Sequence, residues 1–574
     1  GSTLYVSGAG FEVVHVLAFE KRQLRADRQI QVRPVAEQGV PSGIAVSRDG
    51  SALYVAESWG QRVEKIPTAK ATKALWSRSF ASAEGAATTE HEGQRLKPSS
   101  SPDAPFPYTC VPDEKRGRVY VSLWAKSTVL VLDAETGADI ARWPVGQHPN
   151  EMLLAPDGRL FVAESNFNTV SVIDTATGRV TETLSTSLYP NSPPGSMPNS
   201  LALSPDGELL FVANANNNNV AVFEVETRGK ARSLGFIPVG WFPTSVRVSR
   251  DGRTLIVANG KGLASAPNPK GPYPGTPVPR DLQEYIGGLF RGTVSLIELP
   301  TEKRRAEQFG QWSKTAFACC PLAPDASVRG VDSRPAGNPI PARIGEASPI
   351  KHVIYIVREN RTYDQVFGDL EIGNGNPKLC LFGEKVTPNA HALVREFVLL
   401  DNFYGDGEVS ADGHEWSLGA HATDFVEKFW PLSYGHNGKK KYDYPAEGHY
   451  PAAFPANGYL WNRAAEAGVS YRSYGEFCNT PSRGPELSEP ALPVLVGHID
   501  PDYKAWDLEY LDIKRAERFA AEIQRFEREG GMPRLQVLRL GNDHTSGTKP
   551  GARTPVAMVA DNDLALGRLV EAVS

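Results

Sequence analysis

Cysteine and methionine are scarce: 5 Cys and 4 Met in 574 residues, and no two Cys stand in a CxxC pair. That excludes a thiolate zinc ribbon and a disulfide-built miniprotein. No sign of charge is in large excess, since 61 Lys and Arg face 66 Asp and Glu for a net charge of −5. That near-balance argues against a nucleic-acid binder working through a basic surface and against a disordered acidic tail. No apolar run approaches the roughly 20 residues that span a bilayer. No leader is visible either. Gly1-Ser2-Thr3 runs straight into the strand-like LYVSG, so the protein is cytoplasmic or its leader has been removed.

What is abundant is punctuation, 53 Gly and 45 Pro, and much of it recurs at a fixed period. GIAVSRDGSALYVAE (43–57), EMLLAPDGRLFVAESNFNTVSVID (151–174), SLALSPDGELLFVANANNNNVAVFE (200–224) and SVRVSRDGRTLIVANGKG (245–262) align, with a looser copy at 110–133. Each reads strand, Asp-Gly turn, strand, turn, strand. Asp-Gly between apolar runs signals a hairpin, because glycine adopts positive φ without steric cost. LFVAE and TVSVID alternate with period two, which predicts half-buried strands. The last three Asp-Gly pairs are 49 and 45 residues apart, the length of one four-stranded propeller blade. The copies predict six blades over 1–300, with a seventh shared between the N-terminal strands and the segment near 301–320. Residues 81–106 and 263–288 read as surface insertions. The Asn run 214–219 is a turn or a ligand loop. LYVAE, LFVAE and LFVAN resemble the characteristic strand of the YVTN family of β-propellers, a likeness that bears on fold and not on activity.

Residues 321–349, rich in Pro, Gly and Ala, read as a linker. The expected organisation is a propeller over 1–320, the linker, and an α/β domain over 350–574. HVIYIV (352–357) predicts a parallel strand buried on both faces. REFVLLDNFY (395–404) and RLQVLRL (534–540) read as further strands, and 459–468 and 512–531 as helices, with Asp563 capping a closing helix. Eight of the eleven His lie between His352 and His544. Two strands end in candidate ligands, Glu359-Asn360 and Asp543-His544, and between them lies DGEVSADGHEW (406–416). Parallel sheets place their chemistry at such strand ends. A carboxylate, an amide oxygen, a hydroxyl and an Asp-His pair suit a divalent cation, and the His allows zinc. A serine on such a metal can attack phosphorus. Each residue also has an ordinary reading: Glu359 as the cap of a helix from Thr362, Ser410 as a turn residue, His544 as a surface histidine.

VIYIVRENRTYDQVFGDL (353–370) resembles the opening motif of the bacterial phosphoesterase family that includes phospholipases C and AcpA-type acid phosphatases, with the alkaline-phosphatase superfamily fold. Glu359, Asn360, Arg361, Thr362, Tyr363, Asp364, Phe367 and Gly368 match it. The resemblance implies a phosphoric ester hydrolase that uses a divalent metal, whether zinc, calcium or manganese. It implies Glu359, Asn360, Ser410, Asp543 and His544 as metal ligands, Ser410 as nucleophile with Thr362 as rival, and His414 as a second catalytic residue. It further implies Arg361 and Asp412 as substrate contacts. The substrate would be a small phosphate ester or a lipid headgroup, bound or gated by the propeller, and the protein would be periplasmic or secreted. The superfamily carries more ligands on a strand beyond the position of Ser574. A missing C-terminal fragment or a partner chain is therefore expected to cover the sheet edge. The competing expectation is a non-catalytic extracellular scaffold with a degenerate phosphoesterase domain. Cys319 and Cys320 are adjacent, and one of them is a candidate to bridge Cys110.

Overall fold

The computed structural model describes residues 3–69, 73–80, 90–91, 94–95, 104–263, 286–319, 337–341, 345–434, 442–480 and 487–574. The insertions expected at 81–106 and 263–288, the linker at 321–349 and Cys320 fall largely or wholly outside these residues. Among them, neither Cys110 nor Cys319 is bridged.

Six antiparallel sheets of consecutive strands build an N-terminal propeller, from Thr3–Ser7 in the first to Thr293–Glu298 in the last. The Asp-Gly pairs make the turns. Gly50, Gly158, Gly207 and Gly252 all have φ between 72° and 90°. Asp49, Asp157, Asp206 and Asp251 each accept the amide two residues on, at 3.0–3.1 Å. The second strands differ from the expectation of half-burial. Ala52–Glu57, Arg159–Glu164 and Leu209–Asn214 are buried along their whole length, because neighbouring sheets cover both faces. The Asn run makes a turn, with Asn218 at φ 52° and the Asn214 amide donating to Asn219 at 2.9 Å. Among the described residues no seventh sheet forms near 301–320. Arg305–Cys319 is a helix whose Phe309, Ser313 and Ala316 pack on the fifth sheet's outer strand.

The C-terminal domain is mostly helical with little strand, a loose α/β arrangement. Val353–Val357, Leu535–Arg539 and Tyr471–Tyr474 form one parallel sheet with Leu535–Arg539 in the middle. Val353–Val357 is therefore an edge strand among the described residues, and Val353 is 50% exposed, unlike the strand buried on both faces that its composition predicts. REFVLLDNFY is not a strand either. Its first residues end the helix Pro388–Glu396, and Phe397, Val398, Leu400, Phe403 and Tyr404 are exposed. Asp563 lies inside the last helix, Pro555–Val573, which Thr554 caps. Its carboxylate instead accepts the amides of Asn389 and Ala390 at 2.9 Å, capping the helix Pro388–Glu396.

The two domains share one core. Trp59, Phe106 and Trp124 of the propeller pack with Phe425, Phe429 and Trp430 of the helix Asp424–Tyr434. Trp59 and Phe429 are edge to face with centroids 4.6 Å apart. This helix lays the segment around Ser410 against the propeller.

Candidate active site

The parallel register brings the site together. Val357 pairs with Arg539, so the residues after each strand emerge at one end of the sheet. Glu359 and Asn360 follow the edge strand, Glu476 follows Tyr471–Tyr474, and Asn542-Asp543 follow Leu535–Arg539. Asn360 sits at φ 67°, turning the chain sharply after the strand. Thr362, not Glu359, caps the next helix, Tyr363–Phe367. Facing these strand ends is the helix Ser410–Gly419, whose first residue is Ser410. Ser410 and His414 are four apart and share a helix face.

His414 is almost fully buried between two carboxylates, with Nδ1 2.5 Å from Glu476 and Nε2 3.2 Å from Glu359. Arg539 reaches Glu447 at 2.6 Å, His414 Nε2 at 3.0 Å and Glu359 at 3.6 Å. Burial works against the Glu359 charge. The hydrogen bond and charge of His414, the charge of Arg539 and the Ser410 hydroxyl overcome it and hold the carboxyl well below its usual range. Burial also works against a charged His414, but Glu447 and Glu476 raise it well above an ordinary histidine. Tyr434 is a further hydrogen-bonding neighbour of Ser410.

Asp543 is the tense member. Burial pushes it up to about 7; the charge of Arg358 opposes this, while the charges of Glu359 and Asp512 add to it. Its Oδ1 is buried without a hydrogen-bond partner, and the Asn360 amide is its side-chain neighbour. Glu359, Asn360, Ser410, His414 and Asp543 are thus brought together. His544 stands outside this group: its ring is exposed, Nδ1 lies 2.9 Å from the Thr545 carbonyl, and its edge meets Trp506. Arg361 ties loops together by donating to the carbonyls of Asp543 and His544 and to Thr545 Oγ1, at 2.7–3.2 Å. Asp412 is fully buried, and its oxygens accept the amides of Glu408 and Val409 at the start of the Ser410 helix.

Glu447, Glu476 and Arg539 are members that sequence reasoning missed. Arg539 and Glu476 obey the strand-end rule that singled out Glu359. The strand before Glu476 is only four residues, too short to show a period. Glu447 sits in an irregular segment with no pattern to find it by.

A second acidic group lies behind the Ser410 helix. Glu408, Asp412 and Glu427 each offer an oxygen within 4.8 Å of the others and could hold a divalent cation. Lys261 of the propeller already reaches in, 2.6 Å from Glu408 and 3.3 Å from Glu427. Burial, together with Glu408 and Glu427, pushes Asp412 up to about 8. Among the described residues no helix is long and apolar enough to cross a membrane.

Residues 1–263 match the family described as "Lactonase, 7-bladed beta-propeller". Solved structures similar to the chain include a putative 6-phosphogluconolactonase from Bacteroides fragilis NCTC 9343, 17% identical over 45% of this chain and 74% of that one, TM-score 0.36. Another from Bacteroides uniformis ATCC 8492 is 17% identical over 43% and 71%, TM-score 0.34. A Lactobacillus plantarum protein is 19% identical over 45% and 74%, TM-score 0.37. Identities and scores this low say nothing about activity. No curated protein matches. The chain is a six-sheet, lactonase-like propeller joined to a mixed α/β domain.

Proposed function

We propose that the protein is a metal-dependent hydrolase of phosphoric esters in which Ser410 is the nucleophile. The observation that carries this reading is that Ser410, first residue of its helix, stands one turn from His414, whose Nε2 lies 3.2 Å from the Glu359 carboxylate at the end of a parallel strand. The cluster suits a cation. Asp543 Oδ1 is buried and unpartnered, and Asp543 and Glu359 repel each other across the site. Glu359, Asn360, Ser410 and Asp543 would hold the ion, with His544 as the outlying candidate. Bound there, a divalent cation lowers the serine pKa and neutralises phosphate charge.

The chain's own residues supply the rest. The Ser410 oxygen bonds to phosphorus as the ester P–O bond breaks, and the serine proton leaves with the alcohol. Water then opens the phosphoserine, restoring the hydroxyl and releasing phosphate. His414, with both ring nitrogens engaged, is a positioning residue that fixes Glu359. Asp412 fixes the helix start. The propeller acts as the wall that seats the Ser410 segment. Export to the periplasm or beyond is proposed from the family resemblance alone.

A non-catalytic reading has one observation in its favour, the Arg539 guanidinium that already compensates Glu359. Hydrolysis of 4-nitrophenyl phosphate separates the two. The hydrolase reading expects turnover that Mn²⁺ or Zn²⁺ supports, that excess chelator abolishes, and that falls at least about 100-fold in Glu359→Gln. Turnover indifferent to both sinks it, and no turnover with any metal favours the scaffold.

A further inference from the structure

Beside the Glu359 cluster opens a cavity of about 1230 Å³, lined by Arg361, Lys504, Trp506, His544, Lys549 and Arg553 among others. Trp506 is the partition between the two. The Arg539 guanidinium lies 4.8 Å from its ring centroid, and Arg539 in turn approaches Glu359. Arg361 and Asp543 connect the same two spaces from the other side.

The cavity is cationic, and its cations are under-used. Lys504 is half-buried, yet among the described residues neither it nor Lys549 has a carboxylate within ion-pairing distance. Arg361 spends its donors on neutral oxygens, with the charge of Asp543 nearby. Arg553 Nη1 is buried without a hydrogen bond, 3.6 Å from Asp561. The two acids on the rim, Asp507 and Glu509, offset only part of this, since four cationic side chains line the cavity: Arg361, Lys504, Lys549 and Arg553. A cation partly withdrawn from water, as Lys504 is, gains when an anion completes it.

We propose that this cavity is the subsite for the non-reacting part of the ester, and that this part carries an anion of its own, a second phosphate or a carboxylate, on a skeleton that rests against Trp506. The proposal rests on the hydrolase reading for what it calls substrate, but not for its test, which reads binding without turnover.

The full chain with Ser410→Ala is titrated calorimetrically with phenylphosphonate, para-carboxyphenylphosphonate and para-phenylene bisphosphonate. None of the three can be hydrolysed as an ester. The second anion should tighten binding by about tenfold or more over phenylphosphonate. Lys504→Gln with Lys549→Gln should erase that gain while leaving the phenylphosphonate Kd within about twofold. The bisphosphonate arm against the carboxylate arm tells which anion the site prefers. Lys549→Gln alone, at an exposed position, guards against misfolding and should lose part of the gain. Equal binding of all three probes, no binding of any, or a gain untouched by the lysine variants would overturn the proposal. Turnover of nitrophenyl phosphate by Ser410→Ala would instead overturn the hydrolase reading and leave the binding result standing.

Discussion

Asp424 Oδ1 lies 2.8 Å from Nδ1 of His148, so a carboxylate of the C-terminal domain is buried in the face of the propeller. Trp124 Nε1 donates to Oδ2 at 3.0 Å, and Lys428 adds a third contact at 3.1 Å. Burial alone would raise this carboxyl, but the Lys428 charge and the His148 hydrogen bond hold it well below the usual carboxylate range. Around it packs the aromatic cluster of Trp59, Phe106 and Phe429. The propeller is therefore joined to its neighbour through a continuous core rather than tethered beside it.

Removing Asp424 should loosen that joint. Asp424→Ala strands His148, Trp124 and Lys428 without their acceptor and should cost about 3–5 kcal/mol. Guanidinium unfolding followed by tryptophan fluorescence would read it. The wild type should unfold in one transition and the variant in two, as the domains part. One unshifted transition would mean that the aromatic contacts suffice alone.

Lys261 is the second link, and it bears on the helix that begins at Ser410. Lys261→Met leaves Glu408, Asp412 and Glu427 facing one another. A loss of about 3 kcal/mol is expected, tempered by protonation of Asp412. Millimolar Mn²⁺ or Ca²⁺ should restore part of it, since a cation can replace the ammonium. Thermal melts with and without metal check this, and equal melting of variant and wild type would show that the ammonium is dispensable.

Glu415 gives a pH dependence with a definite sign. It is fully buried, with its oxygens 2.7 Å from the Tyr459 hydroxyl and 3.0 Å from the Glu447 amide. Burial raises its carboxyl to about 8, despite those hydrogen bonds. A carboxyl raised in the fold binds its proton more tightly there than in the unfolded chain. Stability is therefore full below about 4.5 and is lost as pH rises toward about 8, with a slope of up to about 1.4 kcal/mol per pH unit. Glu415→Gln should flatten the curve in this window by roughly one proton. A slope unchanged by the substitution would show that Glu415 is ionised in the fold.

The propeller was legible because its signals are local. An Asp-Gly pair makes its own turn, and three such pairs 49 and 45 residues apart need no distant partner to be read. What covers the strands was not legible, so LFVAE was expected half-buried when sheets flank it on both sides. Arg305–Cys319 carries no blade signal, and its helix was absorbed into an expected seventh blade. FVLLDNFY has strand-forming side chains, but a strand also needs a neighbour, and none pairs with it among the described residues. Of the candidate site, Glu359, Asn360 and Asp543 stand out as strand-end residues together with His544, which the fold sets apart, while Ser410 and His414 come from a polar loop motif and the family resemblance. Glu447 and Glu476 were not legible, because only the folded chain brings them beside Arg539.

The most direct measurement is a search for phosphate on Ser410. The protein is incubated with a phosphomonoester and the required metal, quenched in acid, digested and examined by mass spectrometry. A phosphoryl adduct on the peptide bearing Ser410, absent with chelator and absent in Ser410→Ala, is expected. Turnover with no adduct on that peptide at any quench time, or an adduct on Thr362 instead, would contradict Ser410 as the nucleophile.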